Sequence, residues 1–343
     1  MRNTYCVKSA VRTHYAILVT LMELPLESQM TATDRAHLNR GYTLGLIGIA
    51  FWSTTAIFIS YLLKNFPLQP LTLAFWRDLF VVGALALLLA IFRRSALRFD
   101  ARQRKFLVLY GVSLTLMNIS WTLSVALNGA AVSTVVVYAS PGITAIAARF
   151  LFKERLSLIR VLAFLGALLG AFFVARANDP AQWNVNAAGI IIGVLSAFGF
   201  AFYSLMGKAV SQRHINSWTA TLSAFGVATI TLLPITLITL ALGRAAAPFG
   251  EAARYSLLSL GTHWNGWLIL FILAVGPTLG GFGFYTASLG YLPAGTANLL
   301  ATLEPVLTTV LAYLLLNESL SPAQLLGAGL IVLSVISLRL EER

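Results

Sequence analysis

The chain is short of charge and of cysteine. Only 10% of its 343 residues are Asp, Glu, Lys or Arg, against about a quarter in an ordinary soluble domain. So few charges cannot cover a water-soluble core, and the composition equally excludes a disordered chain and a coiled coil. A single cysteine, Cys6, excludes a disulfide framework and a thiolate metal cluster. The four histidines (His14, His37, His214 and His263) lie outside the apolar runs or at their ends. No nucleophile–base pair or metal-ligand set therefore gathers at one depth, which argues against an enzyme, a resident metal or a cofactor. No Gly-x-x-x-x-Gly-Lys-Ser/Thr run occurs, so ATP is not a direct energy source. What abounds is apolar: 58% of the residues, with a mean hydropathy of +0.81.

That apolar content is arranged in runs, and a membrane-spanning helix needs roughly 20 residues. Ten runs qualify, near Tyr42–Leu63, Leu71–Phe92, Phe106–Leu127, Ala130–Phe152, Leu158–Ala175, Ala187–Val210, Ser217–Leu242, Trp267–Leu289, Ala294–Leu316 and Gln324–Leu340. Turn-forming residues separate them, as at Asn65–Pro67, Leu127–Gly129, Asn178–Pro180, Tyr291–Pro293 and Ser321–Pro322. The expectation is an all-α polytopic membrane protein of ten transmembrane helices. If the N-terminus is cytoplasmic, nineteen of the 24 Lys and Arg residues fall on the cytoplasmic side. Four, Lys64, Arg176, Arg244 and Arg254, fall on the other, and Arg77 lies within a span. The positive-inside rule then puts both termini in the cytoplasm of a cell with the chain in its inner or plasma membrane. The net charge of +12 marks topology and anionic headgroups rather than nucleic acid.

The two halves repeat each other. A shift of 164 residues places Pro141 on Pro305, Thr144 on Thr308, Glu154 on Glu318 and Ser157 on Ser321, and pairs Trp121 with Tyr285. Span one matches span six at a shift of 144 instead, and the long loop near 243–266 absorbs the difference. Each repeat holds five spans. Five is odd, so the second repeat enters the membrane from the opposite side, an architecture recurrent among secondary transporters with a midplane site between the halves.

Two stretches carry a likeness: the run from Pro141 to Glu154-Arg-Leu-Ser, and Leu303-Glu-Pro continuing to Glu318-Ser-Leu-Ser. Both resemble the span-four and span-nine signatures of EamA-type members of the drug/metabolite transporter superfamily. So do Ala74-Phe75-Trp76-Arg77 and the Gly-rich last span from Gly327. The likeness covers about 41–340 and implies repeats at 41–177 and 187–340. It also implies a carrier, in many members an exporter of amino acids or other small metabolites. Residues 1–40 depart from it: Ala16–Leu24 is too short to span and has no clear cleavage site. The expectation there is a dispensable cytoplasmic extension or a wrongly placed start, with Met30 the alternative first residue.

Glu304 is the deepest acidic residue, at a cost of roughly 2.5–3.5 kcal/mol on insertion scales, so it needs a partner, a proton or water. It either couples transport to protons or bonds a neighbouring helix where Pro305 withholds an N–H. Arg77 and Asp78, about 100° apart on span two, are expected to seek separate partners. Arg77 either binds an anionic substrate group, or pairs with Asp78 in a structural network, or snorkels outward. Asn298, Thr302, Pro305 and Thr309 share one helical stripe, and Thr134, Tyr138 and Pro141 the equivalent one. With Asn118, Trp121 and Tyr285 they are candidates for one cavity, against helix-to-helix hydrogen bonding as the other use. Trp52, Trp76 and Tyr203 are candidates for an aromatic wall or plain packing. Pro141 and Pro305 are candidate hinges. Gly166, Gly170, Gly327 and Gly329 permit close helix packing or a homodimer contact. Glu154 and Glu318 read as helix-end contacts. The function these residues favour is alternating-access transport of a small, amino-acid-like metabolite. A non-transporting scaffold or sensor, and a carrier of a lipid-linked intermediate, remain the alternatives.

Overall fold

A computed structural model of the chain describes residues 32–98, 100–180, 186–246, 256–316 and 319–342. Its regular elements are helices: α1 Ala32–Asn65, α2 Pro70–Phe92, α3 Arg104–Val137, α4 Ser140–Phe152, α5 Leu158–Val174, α6 Ala187–Gln212, α7 Ser217–Ala246, α8 Trp264–Leu273, α9 Leu279–Ser288, α10 Ala294–Ala301, α11 Glu304–Leu316 and α12 Pro322–Glu341. Eight stretches among the described residues are long and apolar enough to cross a membrane. Two apolar segments are shorter: α5 at 17 residues, and α10 and α11, at 8 and 13 residues, parted by a turn at Thr302–Leu303. The protein is an all-α polytopic membrane protein. Cys6, His14, Met30, Arg254 and Glu318 lie outside the described residues.

The breaks follow local chemistry. Pro70 opens α2, and Ser321 caps α12 through a reciprocal box with Gln324, with Pro322 in the first turn. Gly129, at φ 77° and ψ 167°, kinks the trace between spans three and four in a conformation that a side chain disfavours. Between α8 and α9 a π-turn at Ala274–Thr278 accommodates Pro277, and the Thr278 hydroxyl donates to the Leu273 carbonyl at 3.0 Å. One boundary differs from expectation: α1 starts at Ala32, ten residues before Tyr42, because Ala32–Asn39 holds no helix breaker and puts Asp34 in the first turn. Its 34 residues reach about 50 Å at 1.5 Å each, beyond a hydrocarbon core of roughly 30 Å.

Packing places α3 along α6 and α7, α2 along α7, and α10 against α4 and α6. The helices α5 and α12 form a close pair. A Cβ on Gly170 would stand 2.6 Å from the Gly327 carbonyl oxygen, and one on Gly327 2.5 Å from that of Gly170. Gly166 abuts Ser334, whereas Gly329 has open space around it. Three of the four glycines are therefore used inside the chain.

Candidate functional site: the paired helix breaks

Pro141 and Pro305 each sit just after an interruption. Span four stops at Val137, turns at Tyr138–Ala139 and resumes at Ser140 with Pro141 in the first turn. Span nine stops at Ala301, turns at Thr302–Leu303 and resumes at Glu304 with Pro305 next. The two turns lie 164 residues apart, the offset of the sequence repeat. Proline cannot donate to the preceding turn but is tolerated where a helix begins, so each helix stops and restarts there. Glu304 thus heads α11, where unpaired backbone N–H groups favour an acidic side chain. The Tyr138 hydroxyl donates to Glu304 Oε2 at 3.3 Å, so the two breaks meet through their side chains.

Burial divides sharply at these breaks. We call the end where α1 begins and α12 finishes the terminal face, and the opposite end the far face. All eight residues of α10, on the terminal side of its break, are buried. Of the described side chains in α11, beyond the break, Val306 alone is buried, and Glu304 is half-buried. Span four is less sharply divided: Ser140, Pro141, Thr144, Ala145 and Ala148 of α4 are buried but Ile146 and Phe150 are exposed, and on the far side Val132 and Ser133 are buried while Thr134–Val137 are half-buried. Asn118 and Trp121 of α3 are half-buried too. The Asn118 amide nitrogen and the Trp52 indole nitrogen are buried donors without a partner among the described residues. Unmet donors of this kind suit a polar ligand or water.

The terminal side of the breaks is packed. Asn298 Oδ1 accepts from the Ser140 hydroxyl at 3.0 Å, and its Nδ2 donates to Thr144 at 2.9 Å and Ser204 at 3.0 Å. Ser204 Oγ lies 2.7 Å from the Tyr285 hydroxyl. Thr286 Oγ1 lies within hydrogen-bonding distance of both Tyr110 (3.2 Å) and Tyr203 (3.0 Å), whose rings stack at 4.7 Å. None of these side chains is more than 1% exposed. Asn298, Thr302 and Tyr285, expected along a cavity, therefore sit in a hydrogen-bonded core in this conformation. The reason is that α10 has neighbours on every side. The Thr302 hydroxyl turns back to the Leu299 carbonyl at 2.7 Å.

Arg77 and Asp78 pair with each other, the structural alternative to separate partners. Arg77 Nε and a terminal guanidinium nitrogen donate to Asp78 Oδ1 at 3.0 and 2.9 Å. The long arginine side chain folds around the helix to reach its neighbour, which the 100° offset alone does not prevent. The side chains are 11% and 0% exposed, and Asp78 Oδ2 has no partner among the described residues. Trp76 donates its indole N–H to the Leu257 carbonyl at 2.7 Å and packs on Trp267, a far-face structural cluster. Trp52 packs edge-on to Phe282 and leans on Tyr285.

The terminal face carries a fastening that sequence reasoning missed. Glu342, just past α12, accepts from Tyr42 of α1 at 2.7 Å, Thr296 of α10 at 2.5 Å and Arg160 of α5 at 3.2 Å. Glu341 adds a 3.6 Å pairing with Arg160 Nε. Beside them the Ala294 N–H donates to Glu154 at 3.0 Å, and Lys208 Nζ to the Leu292 carbonyl at 2.8 Å. The repeat held a clue. The shift of 164 places Arg160 on Gln324, and Gln324 Nε2 reaches the Val174 carbonyl at 3.4 Å, so each residue clasps the α5–α12 pair at one end.

Among the described residues no group of three or more His, Cys, Asp or Glu is placed to hold a metal ion. Comparison with known proteins gives the family. The model of the EamA-like transporter family matches 39–176 and again 187–340. Among curated proteins, the chain is 24% identical to the uncharacterized inner membrane transporter YicL of Salmonella typhimurium, over 87% of this chain and 94% of that protein. It is 28% identical to the threonine/homoserine exporter RhtA of Escherichia coli strain K12, over 72% and 75% of the two chains. It is 27% identical to a probable amino-acid metabolite efflux pump of Salmonella typhimurium, over 84% and 91%. A solved crystal structure superposes with a TM-score of 0.67 at 21% identity, covering 89% of this chain and 99% of the other, which shows a shared fold.

Proposed function

We propose that this chain, which belongs to the EamA-like transporter family of the drug/metabolite transporter superfamily, is a secondary carrier that exports a small, amino-acid-like metabolite. Membership makes it a membrane transporter rather than an enzyme. The finer reading rests on one observation above all. Two broken spans meet at Tyr138 and Glu304, with the terminal side of the span-nine break wholly buried and its far side, like Thr134–Val137 of span four, largely half-buried or exposed. Discontinuous helices meeting at midplane are where inverted-repeat carriers hold substrate and coupling ions.

In this reading the ten spans form two inverted repeats of five. The terminal face is cytoplasmic, and the structure is the outward-facing state of an alternating-access cycle. Glu304 and Tyr138 floor the outward crevice, with Asn118, Trp121 and Thr134 on its walls. Asn298, Thr302 and Tyr285 reach the path only when the terminal face opens. Glu304 exchanges a proton with one face at a time and so couples export to the proton gradient. The unmet donors on Asn118 and Trp52 suit a carboxylate or carbonyl. The names of the relatives, a threonine/homoserine exporter and an amino-acid efflux pump, point to the same cargo class.

Counterflow tests this directly. Purified protein in liposomes preloaded with pooled amino acids should accumulate labelled threonine, homoserine or another pool member against no net gradient. Folded protein that exchanges no pool member refutes the proposal.

A further inference from the structure

The basic loop between α2 and α3 does more than scatter charge along the membrane. Its two short 3-10 turns, Arg94–Leu97 and Ala101–Gln103, fold against the chain reversal between α6 and α7. The Thr219 hydroxyl donates to the Ala96 carbonyl at 2.7 Å and pins the two together. Between them lies a cavity of about 280 Å³. Its polar lining includes Arg93, Arg98, Gln103, Asp100, His214 and Asn216.

The charge in this cavity is unbalanced. Arg93 and Arg98 make no ion pair among the described residues. The carboxylate that joins them, Asp100, already accepts the Arg102 backbone N–H at 2.9 Å. Two guanidinium groups thus face one carboxylate even with His214 neutral. The 30-residue helix α7 begins beside the cavity, Asn216 capping it by accepting the Trp218 N–H, and adds the positive end of its dipole. Height in the membrane is fixed by the preceding residues. Ile91 and Phe92 are 63% and 77% exposed, apolar side chains that need lipid around them, and Arg93 follows at once. The cavity therefore lies where headgroups meet acyl chains.

We propose that this cavity is a binding site for a phosphate ester, the headgroup of an anionic phospholipid, clamped between the α2–α3 loop and the start of α7. Arg93 and Arg98 supply forked, charge-assisted hydrogen bonds to the phosphate oxygens, and the acyl chains lie along the apolar end of α2. The site joins a segment from each half of the chain, so its occupant braces the terminal face. It goes beyond the transport reading and stands or falls without it.

The test titrates the detergent-solubilised full chain with phosphatidylglycerol, phosphatidylcholine or inorganic phosphate, counting retained lipid by native mass spectrometry and following thermal stability. Phosphatidylglycerol should be retained over phosphatidylcholine, and Arg93→Gln and Arg98→Gln should each weaken that preference about fivefold. Arg94→Gln and Arg102→Gln remove the same charge from the same loop outside the cavity lining, and should change it less than about twofold. All four side chains are exposed, so folding is preserved. Stabilisation by millimolar inorganic phosphate that both cavity variants abolish would support the phosphate chemistry and name a soluble anion as its source. Equal retention of the two lipids, or equal losses in all four variants, would overturn the site.

Discussion

In the proposed cycle Glu342 is the main ionic fastening of the terminal face, and neutralising it should open that face. Glu342 Oε1 accepts from Arg160 and Thr296, and Oε2 from Tyr42, so four helices meet on two oxygens. In Glu342→Gln the amide must keep its oxygen towards Arg160, which cannot accept, and turn its nitrogen to Tyr42, whose hydroxyl can. Geometry survives and charge assistance does not. Bonds to charged groups contribute about 1.5–3 kcal/mol against roughly 1 for neutral ones, so the closed state loses on the order of 2 kcal/mol, or about thirtyfold in its ratio to the open state. A nearly isosteric reporter is Ser288→Cys in a Cys6→Ser background. Ser288 is fully buried, and its hydroxyl bonds the Tyr285 carbonyl at 2.7 Å at the terminal end of α9. Maleimide should modify this cysteine about thirtyfold faster when Glu342→Gln is added. A rate within twofold of the parent's would show that Glu342 does not hold the face shut.

Three further outcomes follow from the same geometry. Glu304→Gln should still exchange labelled substrate in counterflow but lose accumulation driven by an imposed pH gradient; a variant that still follows the gradient removes the coupling role. Gly170→Ala or Gly327→Ala should lower the melting temperature through about 1–3 kcal/mol of overpacking between α5 and α12, whereas Gly329→Ala should not, since nothing stands within 4 Å of its added Cβ. Arg77→Leu should cost about 3–5 kcal/mol by stranding the buried Asp78 carboxylate, and Arg77→Leu with Asp78→Leu should recover most of it; equal melting of the single and double variants would refute the pairing.

Much of this was legible in the residues because the bilayer permits few solutions. Apolar runs, proline and glycine punctuation and the Pro-to-Glu spacing each constrain the backbone directly, so the spans, the kink at Gly129 and the interruptions beside Pro141 and Pro305 follow from local chemistry. The site was legible in part. Tyr138 and Glu304 meet, but helical angles alone misjudged Arg77 and Asp78, because a flexible guanidinium reaches round a helix that its Cβ does not. Glu342 was overlooked for a related reason: a charge at a chain end reads as solvated until the fold brings Tyr42, Thr296 and Arg160 to it. The serine and threonine partners of Asn298 were equally hidden, since Ser140 and Thr144 come from α4 and Ser204 from α6, far apart in sequence.

The repeat fixes what the two halves share, and function lies in what they do not. Positions 130–137 and 294–301 correspond, yet the second octet is wholly buried and Thr134–Val137 of the first is not. Arg160 and Gln324 correspond, yet one makes ion pairs with two glutamates and the other only neutral bonds, to the Val174 carbonyl and to Ser321. Span eight carries a π-turn at Pro277, whereas α3 runs through the equivalent Ser113 as a regular helix. A symmetric pair would be equally stable closed at either end. The first two differences weight the terminal face towards closure, through the buried α10 and the ion pairs of Arg160 with Glu341 and Glu342. In the alternating-access cycle proposed above, a carrier biased in this way rests open to the far face, and a ligand must favour the other state to reverse it. Under that proposal, cargo binding from the terminal side must offset the ionic fastening, and Arg160 and Glu342 become determinants of rate.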